Sequence, residues 1–340
     1  MKDGLNVAVV GATGMVGEAM LEMLAEGQFP VASLQPLASE RSLGKTVTYK
    51  GRAVPCEVLA EHDFSTTDLA LFSAGGAISA EFAPRAAAAG CIVVDNTSQF
   101  RLEDDIPLVV PEVNGADLAG YTQRNIIANP NCSTIQMLAA LKPLYDAVGI
   151  ERINVATYQA VSGAGRSAVE RLARQTATLL NGQPLPDEGA EKQIAFNAIP
   201  HIDAFQDNGY TREEMKMVWE TRKIFGDEAI LVNPTAVRIP AFIGHSEAIH
   251  IETREPIEVE QARALLEAAP GVEVLSEARV GGYPTAVTEG AGKDAVYVGR
   301  LRRDISHPRG LNLWVVSDNV RKGAALNSVQ IAEILVREYL

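Results

Sequence analysis

The chain of 340 residues is 47% hydrophobic and 21% charged, a composition that supplies globular cores and a length that suits two domains. Its formal net charge of −13 argues against nonspecific binding to nucleic acid or to anionic membranes. Its cysteines are too few and too scattered for a zinc site or a disulfide framework, and no run reaches the ~18 apolar residues of a membrane span. Since no signal peptide is recognisable either, the sequence predicts a cytoplasmic protein without a metal.

The first part of the chain alternates short apolar runs with helical patterns. Leu5–Val10 is almost wholly apolar and ends at a glycine, which indicates a strand buried on both faces of a parallel sheet. Helical spacing follows over Val16–Ala25 and again over Ile78–Ala89. Further strands are predicted at Leu34–Ala38, Leu69–Phe72, Ile92–Asp95 and Ile126–Ala128. This alternation is typical of a doubly wound α/β domain.

After a helical pattern at Thr134–Val148, the sequence changes character. Longer alternating strands are predicted at Ile153–Val161, Ala229–Ile239, Ala248–Arg254, Ala295–Arg302 and Leu311–Ser317. The helices between them are predicted at Ser167–Leu180, Arg212–Ile224 and Val259–Ala268. This pattern favours an α+β domain with a mostly antiparallel sheet. The amphipathic segment Gly323–Leu340 is predicted to pack back on the first domain.

A glycine-rich turn follows the first predicted strand and opens the first predicted helix. Its glycines, Gly11, Gly14 and Gly17, permit a tight turn and a close backbone approach to a ligand, and the helix N-terminus attracts a pyrophosphate. Glycine is common at such turns, and the spacing differs from the commonest dinucleotide fingerprint. The order of strand, loop and helix nevertheless favours a dinucleotide site.

The residues after the second predicted strand favour NADP over NAD. An NAD site usually has an acidic residue there for the ribose hydroxyls. Arg41 and Ser42, with Lys45 nearby, instead offer cations and a hydroxyl for a 2′-phosphate. The alternative is a solvated loop in which Glu40 offsets Arg41. Small residues after later strands are candidates for the nicotinamide end, namely Ser73, Ser162 and Gly163.

Cys132 lies in the segment Asn129–Thr134, between an apolar strand and the helical pattern that begins at Thr134. Backbone N–H groups and the positive end of the helix dipole favour an anion at such a joint, so we expect its thiol to ionise below the usual pKa of about 8.5. A thiolate in that position is suited to attack an acyl group. A buried structural cysteine is the alternative, and the polar neighbours on both sides argue against it.

His245 and Arg238 lie close in sequence, where a predicted strand ends in Pro240 and Gly244. An imidazole is the natural acid–base partner of a thiolate near neutral pH, and a planar guanidinium suits a substrate carboxylate. A structural histidine is the alternative for His245. Arg101, past another strand end, is a candidate for binding a second anion.

Glu220 and Lys223 are three residues apart on a predicted helix and therefore share a face, where they could contact a substrate ammonium and a phosphate. With Lys216 they could equally form an ordinary surface row of ion pairs. Gln159, late in a predicted strand, could orient a carbonyl group or make an internal hydrogen bond.

Taken together, these residues resemble the aspartate-semialdehyde dehydrogenase family over nearly the whole chain. The matching segments are GATGMVG, LASERSLGK, SAGG, DNTSQFR, VVPEVN, NPNCST, YQAVSGAG, EEMKMVWETRKI, RIPAFIGHSE and SDNVRKGAA. NPNCST followed by the histidine of GHSE is highly specific for that family. The resemblance implies a Rossmann-type NADP-binding α/β domain over residues 1–130, completed by a C-terminal helix at 318–340. It also implies an α+β catalytic and dimerisation domain over residues 131–317.

Carried over by position, the resemblance makes Cys132 the nucleophile and His245 the acid–base catalyst. It implies that Gln159 orients the reacting group of the substrate. Arg238 would bind the substrate carboxylate and Glu220 its amine. Arg101 and Lys223 would hold the phosphate. The residues that it implies for NADP are Gly11, Thr13, Gly14, Met15, Val16, Gly17, Arg41, Ser42, Ser73, Ser162, Gly163 and Asn319.

The implied reaction is the NADPH-dependent conversion of 4-phospho-L-aspartate to L-aspartate 4-semialdehyde and phosphate, by a homodimer, in lysine, threonine, methionine and diaminopimelate biosynthesis. The Cys132 thiolate would displace phosphate to form a thioester, which hydride transfer would reduce. An N-acetylglutamyl-phosphate reductase would use the same mechanism on a substrate without a free ammonium group. This alternative is disfavoured because Glu220 is suited to bind such a group. A noncatalytic dinucleotide-binding homologue is disfavoured because both Cys132 and His245 are present.

Overall fold

The computed structural model describes residues 4–186, 189 and 191–340. The chain divides into two compact units. The first combines Met1–Asn131 with Lys223–Phe225 and Gly323–Leu340, and the second combines Cys132–Arg222 with Gly226–Lys322. None of the described helices has both the length and the apolar character needed to cross a membrane.

The first part of the chain contains parallel strands and their connecting helices. Its helices are Met15–Glu26 (α1), Gly76–Ala88 (α2) and the short Pro111–Asn114 (α3). Its strands are Leu5–Val10 (β1), Val31–Ala38 (β2), Thr46–Tyr49 (β3), Arg52–Pro55 (β4), Glu57–Val58 (β5), Leu69–Phe72 (β6), Ile92–Asp95 (β7) and Ile126–Ala128 (β8). The elements predicted for this region are confirmed, with β2 beginning earlier than predicted.

The sheet of the first unit has the strand order β5-β2-β1-β6-β7-β8, and all of its pairs are parallel. The strands β6, β7 and β8 are buried along their whole length, as expected for strands covered on both faces. Because the strands are parallel, the loops that follow them lie along one edge of the sheet. That edge carries the glycine turn after β1 and Ser73 after β6.

The hairpin of β3 and β4 was not among the predicted elements. Its turn has Lys50 at φ 47° and Gly51 at φ 73°, the left-handed geometry of the tight turns that favour hairpins. Each strand has only four residues, and most of them are not buried. The apolar periodicity that reveals longer strands is therefore weak here.

The remaining elements belong mainly to the second unit. The helices are Cys132–Val148 (α4), Arg166–Leu180 (α5), Arg212–Phe225 (α6), Val259–Glu267 (α7) and Leu326–Glu338 (α8). The strands are Ile150–Gln159 (β9), Leu231–Arg238 (β10), His245–Thr253 (β11), Val272–Val274 (β12), Val296–Arg303 (β13) and Gly310–Ser317 (β14). Several predicted boundaries were wrong, among them both ends of β9, which was predicted at Ile153–Val161. The helix α4 begins at Cys132 rather than Thr134, and β11 begins at His245 rather than Ala248 because pairing with Ser317 of β14 extends it.

The sheet of the second unit has the order β10-β9-β11-β14-β13-β12. Its central pairs β9–β11, β11–β14 and β14–β13 are antiparallel, and its two outer pairs are parallel. The mostly antiparallel sheet is thus confirmed. The helix α4 packs on its central strands, with Ile135, Leu138 and Leu141 fully buried.

The helix α8 belongs to the first unit and packs on α1. Its Asn327 side chain donates hydrogen bonds to the Val109 carbonyl over 3.0 Å and to Asn129 Oδ1 over 2.7 Å. Asn129 in turn donates to Asn96 Oδ1 over 2.6 Å. These contacts tie the C-terminal helix to the loops that follow β7 and β8.

Candidate active site

Three neighbouring strands of the second unit bring polar side chains to one edge of its sheet. The parallel pair β9–β10 places Gln159 opposite Arg238, and the antiparallel pair β9–β11 places Tyr158 opposite Ser246. The ends of β9 and β10 therefore meet the beginning of β11, where His245 lies. Gln159 Nε2 and His245 Nε2 are 3.4 Å apart.

His245 is fully buried and is held by the backbone of β9. The Ala160 N–H donates to His245 Nδ1 over 3.1 Å, so in the neutral ring the proton lies on Nε2. Burial, reinforced by Arg238 and opposed by Glu213, lowers the pKa of His245 to about 3. The imidazole is therefore neutral near pH ~7, with Nε2–H as its donor.

Arg238 lies beside this histidine and is itself largely enclosed. Its Nη1 donates to the Ala160 carbonyl over 2.7 Å. A Cβ at Gly163 would lie 3.1 Å from Arg238 Nη1 and 3.4 Å from His245 Nε2, so only glycine leaves both side chains undisturbed. Burial lowers the pKa of Arg238, while the negative charges of Glu213 and Cys132 oppose that effect. Since an arginine stays charged through moderate shifts, it can stabilise the Cys132 thiolate.

Cys132 is the first residue of α4, where the backbone N–H groups of the first turn favour an anion. It is partly exposed, whereas Cys56 and Cys91 are buried. Burial raises the pKa of Cys56 and raises that of Cys91 to about 12. Of the three cysteines, Cys132 alone combines access with an environment that supports a thiolate.

Glu213, in the first turn of α6, is a site residue that the sequence interpretation missed. Gln159 Nε2 donates to Glu213 Oε1 over 3.0 Å, and Thr157 Oγ1 donates to Gln159 Oε1 over 3.0 Å. These two contacts fix the orientation of the Gln159 amide. Glu213 lies seven residues before Glu220, two turns along the same helix, so the spacing places both carboxylates on one face.

Glu220 is only 1% exposed, so the alternative of a surface row of ion pairs is wrong for this residue. Lys216, the cation of that predicted row, pairs with other carboxylates instead. Lys216 Nζ donates to Asp203 Oδ2 over 2.8 Å and to Glu213 Oε2 over 3.0 Å. The helix α6 thus turns glutamates inward rather than presenting them to solvent.

The two cations predicted for phosphate lie in the first unit. Lys223 Nζ donates to the carbonyls of Arg101, Glu103 and Ile106, over 2.9, 2.6 and 2.9 Å. Arg101 is 7% exposed, and its Nη2 donates to the Asn96 carbonyl over 3.0 Å. In this structure Lys223 therefore holds the backbone of the loop that carries Arg101.

Asp95 organises the start of that loop. Its carboxyl group accepts hydrogen bonds from Ser79 Oγ over 2.8 Å, from the Thr97 N–H over 3.0 Å and from Thr97 Oγ1 over 2.8 Å. Burial raises its pKa, and these hydrogen bonds together with Arg101 oppose the rise. Asp95, the first residue of the DNTSQFR segment, thus fixes the conformation at the start of that segment.

A cavity of about 530 Å³ in the first unit contains much of the predicted cofactor set. Its walls include Gly11, Thr13, Gly14, Arg41 and Ser73 from that set, together with Val58, Leu59, Ile78 and Phe82. Ser42 lies beside it, with its Oγ 3.4 Å from Thr13 Oγ1. The apolar wall suits a flat base, and Arg41 supplies a cation for a phosphate.

The helix α1 begins at the floor of this cavity and supplies its anion site. Met15, Val16 and Gly17 form its first turn, and no side chain in the described part of the chain caps it at Gly14. A Cβ at Gly17 would lie 2.3 Å from the Gly11 carbonyl oxygen, which explains the glycine there. The turn, the N–H groups of the first helical turn and the cavity together fit the pyrophosphate of a dinucleotide.

The remaining residues of the predicted cofactor set, Ser162, Gly163 and Asn319, lie in the second unit. Asn319 Oδ1 accepts hydrogen bonds from Ser162 Oγ over 3.1 Å and from the Gly244 N–H over 2.9 Å. These contacts place Asn319 and Ser162 next to the backbone that leads into His245.

Two family models match the chain, the semialdehyde dehydrogenase NAD binding domain over residues 6–121 and the semialdehyde dehydrogenase dimerisation domain over residues 141–322. An aspartate-semialdehyde dehydrogenase of Legionella pneumophila is 63% identical over 340 residues, covering 100% of this chain and 98% of that protein. The chain belongs to the aspartate-semialdehyde dehydrogenase family.

Solved structures of the aspartate-semialdehyde dehydrogenase family have the same fold. The aspartate semialdehyde dehydrogenase II of Vibrio cholerae, complexed with ASA, is 61% identical with a TM-score of 0.96 over 99% of each chain. The Candida albicans enzyme, solved with NADP, is 24% identical with a TM-score of 0.75 over 98% of each chain, which shows the shared fold. The predicted family, fold class, enzyme class and NADP(H) cofactor are confirmed. No group of three or more His, Cys, Asp or Glu side chains within the described ranges is arranged to hold a metal ion.

Proposed function

We propose that the chain catalyses the NADPH-dependent reductive dephosphorylation of 4-phospho-L-aspartate to L-aspartate 4-semialdehyde through a thioester on Cys132. The observation that carries this proposal is the position of Cys132 at the N-terminus of α4, near the Arg238 cation. In the first step Cys132 Sγ forms a bond to the acyl carbon, the carbon–oxygen bond to phosphate breaks, and inorganic phosphate leaves. Bound NADPH supplies the hydride for the thioester carbon. The carbon–sulfur bond then breaks, which restores the thiolate and releases the aldehyde.

His245 acts on the oxygen of the reacting carbonyl group. The Ala160 N–H at Nδ1 supports a neutral ring with its proton on Nε2. That N–H can donate a hydrogen bond to the oxygen, which gains negative charge when the thiolate or the hydride adds. Acid–base catalysis at this oxygen is the proposed role of His245, and Gln159, held by Glu213 and Thr157, orients the same group.

The other site residues select the substrate by charge. Arg238 is proposed to bind the substrate carboxylate as a planar fork, and Glu220 its ammonium group. Arg101 and Lys223 are proposed to hold the departing phosphate. A substrate with a carboxylate, an ammonium and a phosphate explains why such cations are gathered in a chain of net charge −13.

The proposed NADP site uses Gly11, Thr13, Gly14, Met15, Val16, Gly17, Arg41, Ser42, Ser73, Ser162, Gly163 and Asn319. We assign the NADP-binding domain to residues 1–130 with 318–340, and the catalytic and dimerisation domain to residues 131–317. A cytoplasmic homodimer is the proposed working form, and the match to a dimerisation domain model supports the dimer. Sedimentation equilibrium would test it, because a monomeric mass at working concentration contradicts this assignment.

The reaction is tested in the oxidative direction by phosphate-dependent formation of NADPH from NADP and L-aspartate 4-semialdehyde. N-acetylglutamate semialdehyde serves as the parallel substrate. Turnover with the aspartyl aldehyde alone supports the proposal. Preference for the acetylated aldehyde would instead indicate an N-acetylglutamyl-phosphate reductase. Absence of reduction with either aldehyde would favour a noncatalytic dinucleotide-binding protein.

A further inference from the structure

Glu247 is a fully buried carboxyl group that the proposed reaction does not use. It is the third residue of β11, two residues after His245, so both side chains point to the same face of the sheet. Neither carboxyl oxygen of Glu247 has a partner in normal hydrogen-bond geometry among the described residues. Burying an acidic side chain with so few polar contacts costs stability, so its presence calls for an explanation.

The groups that face Glu247 come from the start of α4. The side chains of Ser133 and Gln136 lie next to its carboxyl group and partly offset the rise in its pKa that burial causes. Both are buried, and they are three residues apart, so they share the helix face turned toward the sheet. Ser133 follows Cys132 directly, and Gln136 lies one turn further along α4.

Burial raises the pKa of Glu247 well above its ordinary value, which favours the neutral carboxylic acid over the carboxylate. An ionised carboxylate at this position would oppose a thiolate on the adjacent turn of α4. A neutral acid avoids that conflict, and it presents one O–H donor and one carbonyl acceptor to Ser133 and Gln136. Glutamine has a similar shape and also offers a donor and an acceptor, so it is the natural isostere.

We propose that Glu247 is a positioning residue, whose buried side chain contacts Ser133 and Gln136, fixes the rotation of the first turn of α4 and so aims the Cys132 thiol. The helix and the strand meet at this point, and the same strand carries His245. A polar contact beneath the first turn therefore links the direction of the nucleophile to the residue that acts on the carbonyl oxygen. This inference rests on the proposed function for the role of Cys132.

The test compares Glu247→Gln with Glu247→Leu, which keeps the approximate volume but removes both polar atoms. The readouts are kcat, KM for NADPH and the rate of Cys132 alkylation by iodoacetamide as a function of pH. We expect Glu247→Gln to stay within about twofold of wild type, and Glu247→Leu to lose roughly tenfold or more in kcat and alkylation rate, because small misplacements of reacting groups cost that much. KM for NADPH should be unchanged in both.

Gln136→Leu approaches the same contact from α4 and replaces Glu247→Leu if that variant fails to fold. Unchanged kcat and alkylation in both leucine variants would overturn the proposal. So would an equal loss in Glu247→Gln, which would assign the effect to a negative charge, or a loss of kcat with normal alkylation. If wild type oxidises neither semialdehyde yet the leucine variants slow alkylation, the positioning role stands and the proposed function fails.

Discussion

Gln159 Nε2 donates a hydrogen bond to Glu213 Oε1 over 3.0 Å, joining the end of β9 to the first turn of α6. The same amide accepts at Oε1 from Thr157 Oγ1 over 3.0 Å. Turning the amide over would place its Oε1 against the carboxylate, which only accepts hydrogen bonds, so the contact with Glu213 would be lost. The carboxylate of Glu213 therefore fixes the orientation of the Gln159 amide.

Glu213→Gln should lower kcat by roughly tenfold while changing KM for NADPH little, because a second amide can donate as well as accept and no longer enforces one orientation of Gln159. Steady-state kinetics with L-aspartate 4-semialdehyde measure the split. Asp203→Asn is the matched control, since Asp203 contacts the same Lys216 but not Gln159. An equal loss in the control would assign the effect to the ion pairs instead.

Cys132→Ala should reduce turnover by at least about a thousandfold, since no other group can form the thioester. The affinity for NADPH, measured by calorimetric titration, should stay unchanged because the cavity of the first unit is untouched. Cys56→Ala controls for the loss of a thiol, as Cys56 is buried elsewhere. Substantial activity in the Cys132 variant would refute the covalent mechanism.

Arg41→Ala should raise KM for NADPH roughly ten- to a hundredfold and leave KM for NADH unchanged, because only the 2′-phosphate needs a charge-assisted partner. Arg41 is exposed and lines the cavity of the first unit. Arg52→Ala, which removes another exposed arginine of the same unit, is the control. An equal rise in KM for NADPH and for NADH would mean that a residue other than Arg41 contacts the 2′-phosphate.

The elements that carry the first unit could be predicted because their signals are local. Leu69–Phe72 and Ile92–Asp95 are buried on both faces, so a short apolar run bounded by polar residues is sufficient to mark them. The order of strand, glycine turn and helix likewise predicts a dinucleotide site from a local pattern. The exposed hairpin of β3 and β4 has no such apolar signature and was missed.

The contacts within the site depend on pairings that a single sequence does not reveal. Gln159 and Arg238 are neighbours only because β9 and β10 pair in one register, and that register joins segments far apart in the chain. For Glu213 and Glu247, the sequence does contain a weaker indication that the side chain points inward. Glu213 shares a helix face with Glu220, and Glu247 occupies an inward position of the alternating strand that begins at His245.

The burial of His245 should make folding stability depend on pH. Its pKa is about 3 in the folded chain, well below the value of about 6.5 for an unperturbed histidine. Between these values the unfolded chain binds a proton that the folded chain does not, so stability falls as pH falls. The expected slope is about 1.4 kcal/mol per pH unit, or about 2 kcal/mol between pH ~6.5 and pH ~5.

His245→Gln removes the titrating group and should abolish that part of the pH dependence, so the difference in unfolding free energy between wild type and variant should shrink toward acid pH. Urea titrations at pH ~5 and pH ~7 measure it. Glu247 acts with the opposite sign, because burial raises its folded pKa and stabilises the folded chain as pH falls, but its contribution is common to both proteins. His201→Gln, at an exposed histidine, should leave the wild-type difference between the two pH values in place. A constant gap between wild type and His245→Gln at both pH values would mean that His245 titrates alike in the folded and unfolded chains, contrary to its buried position.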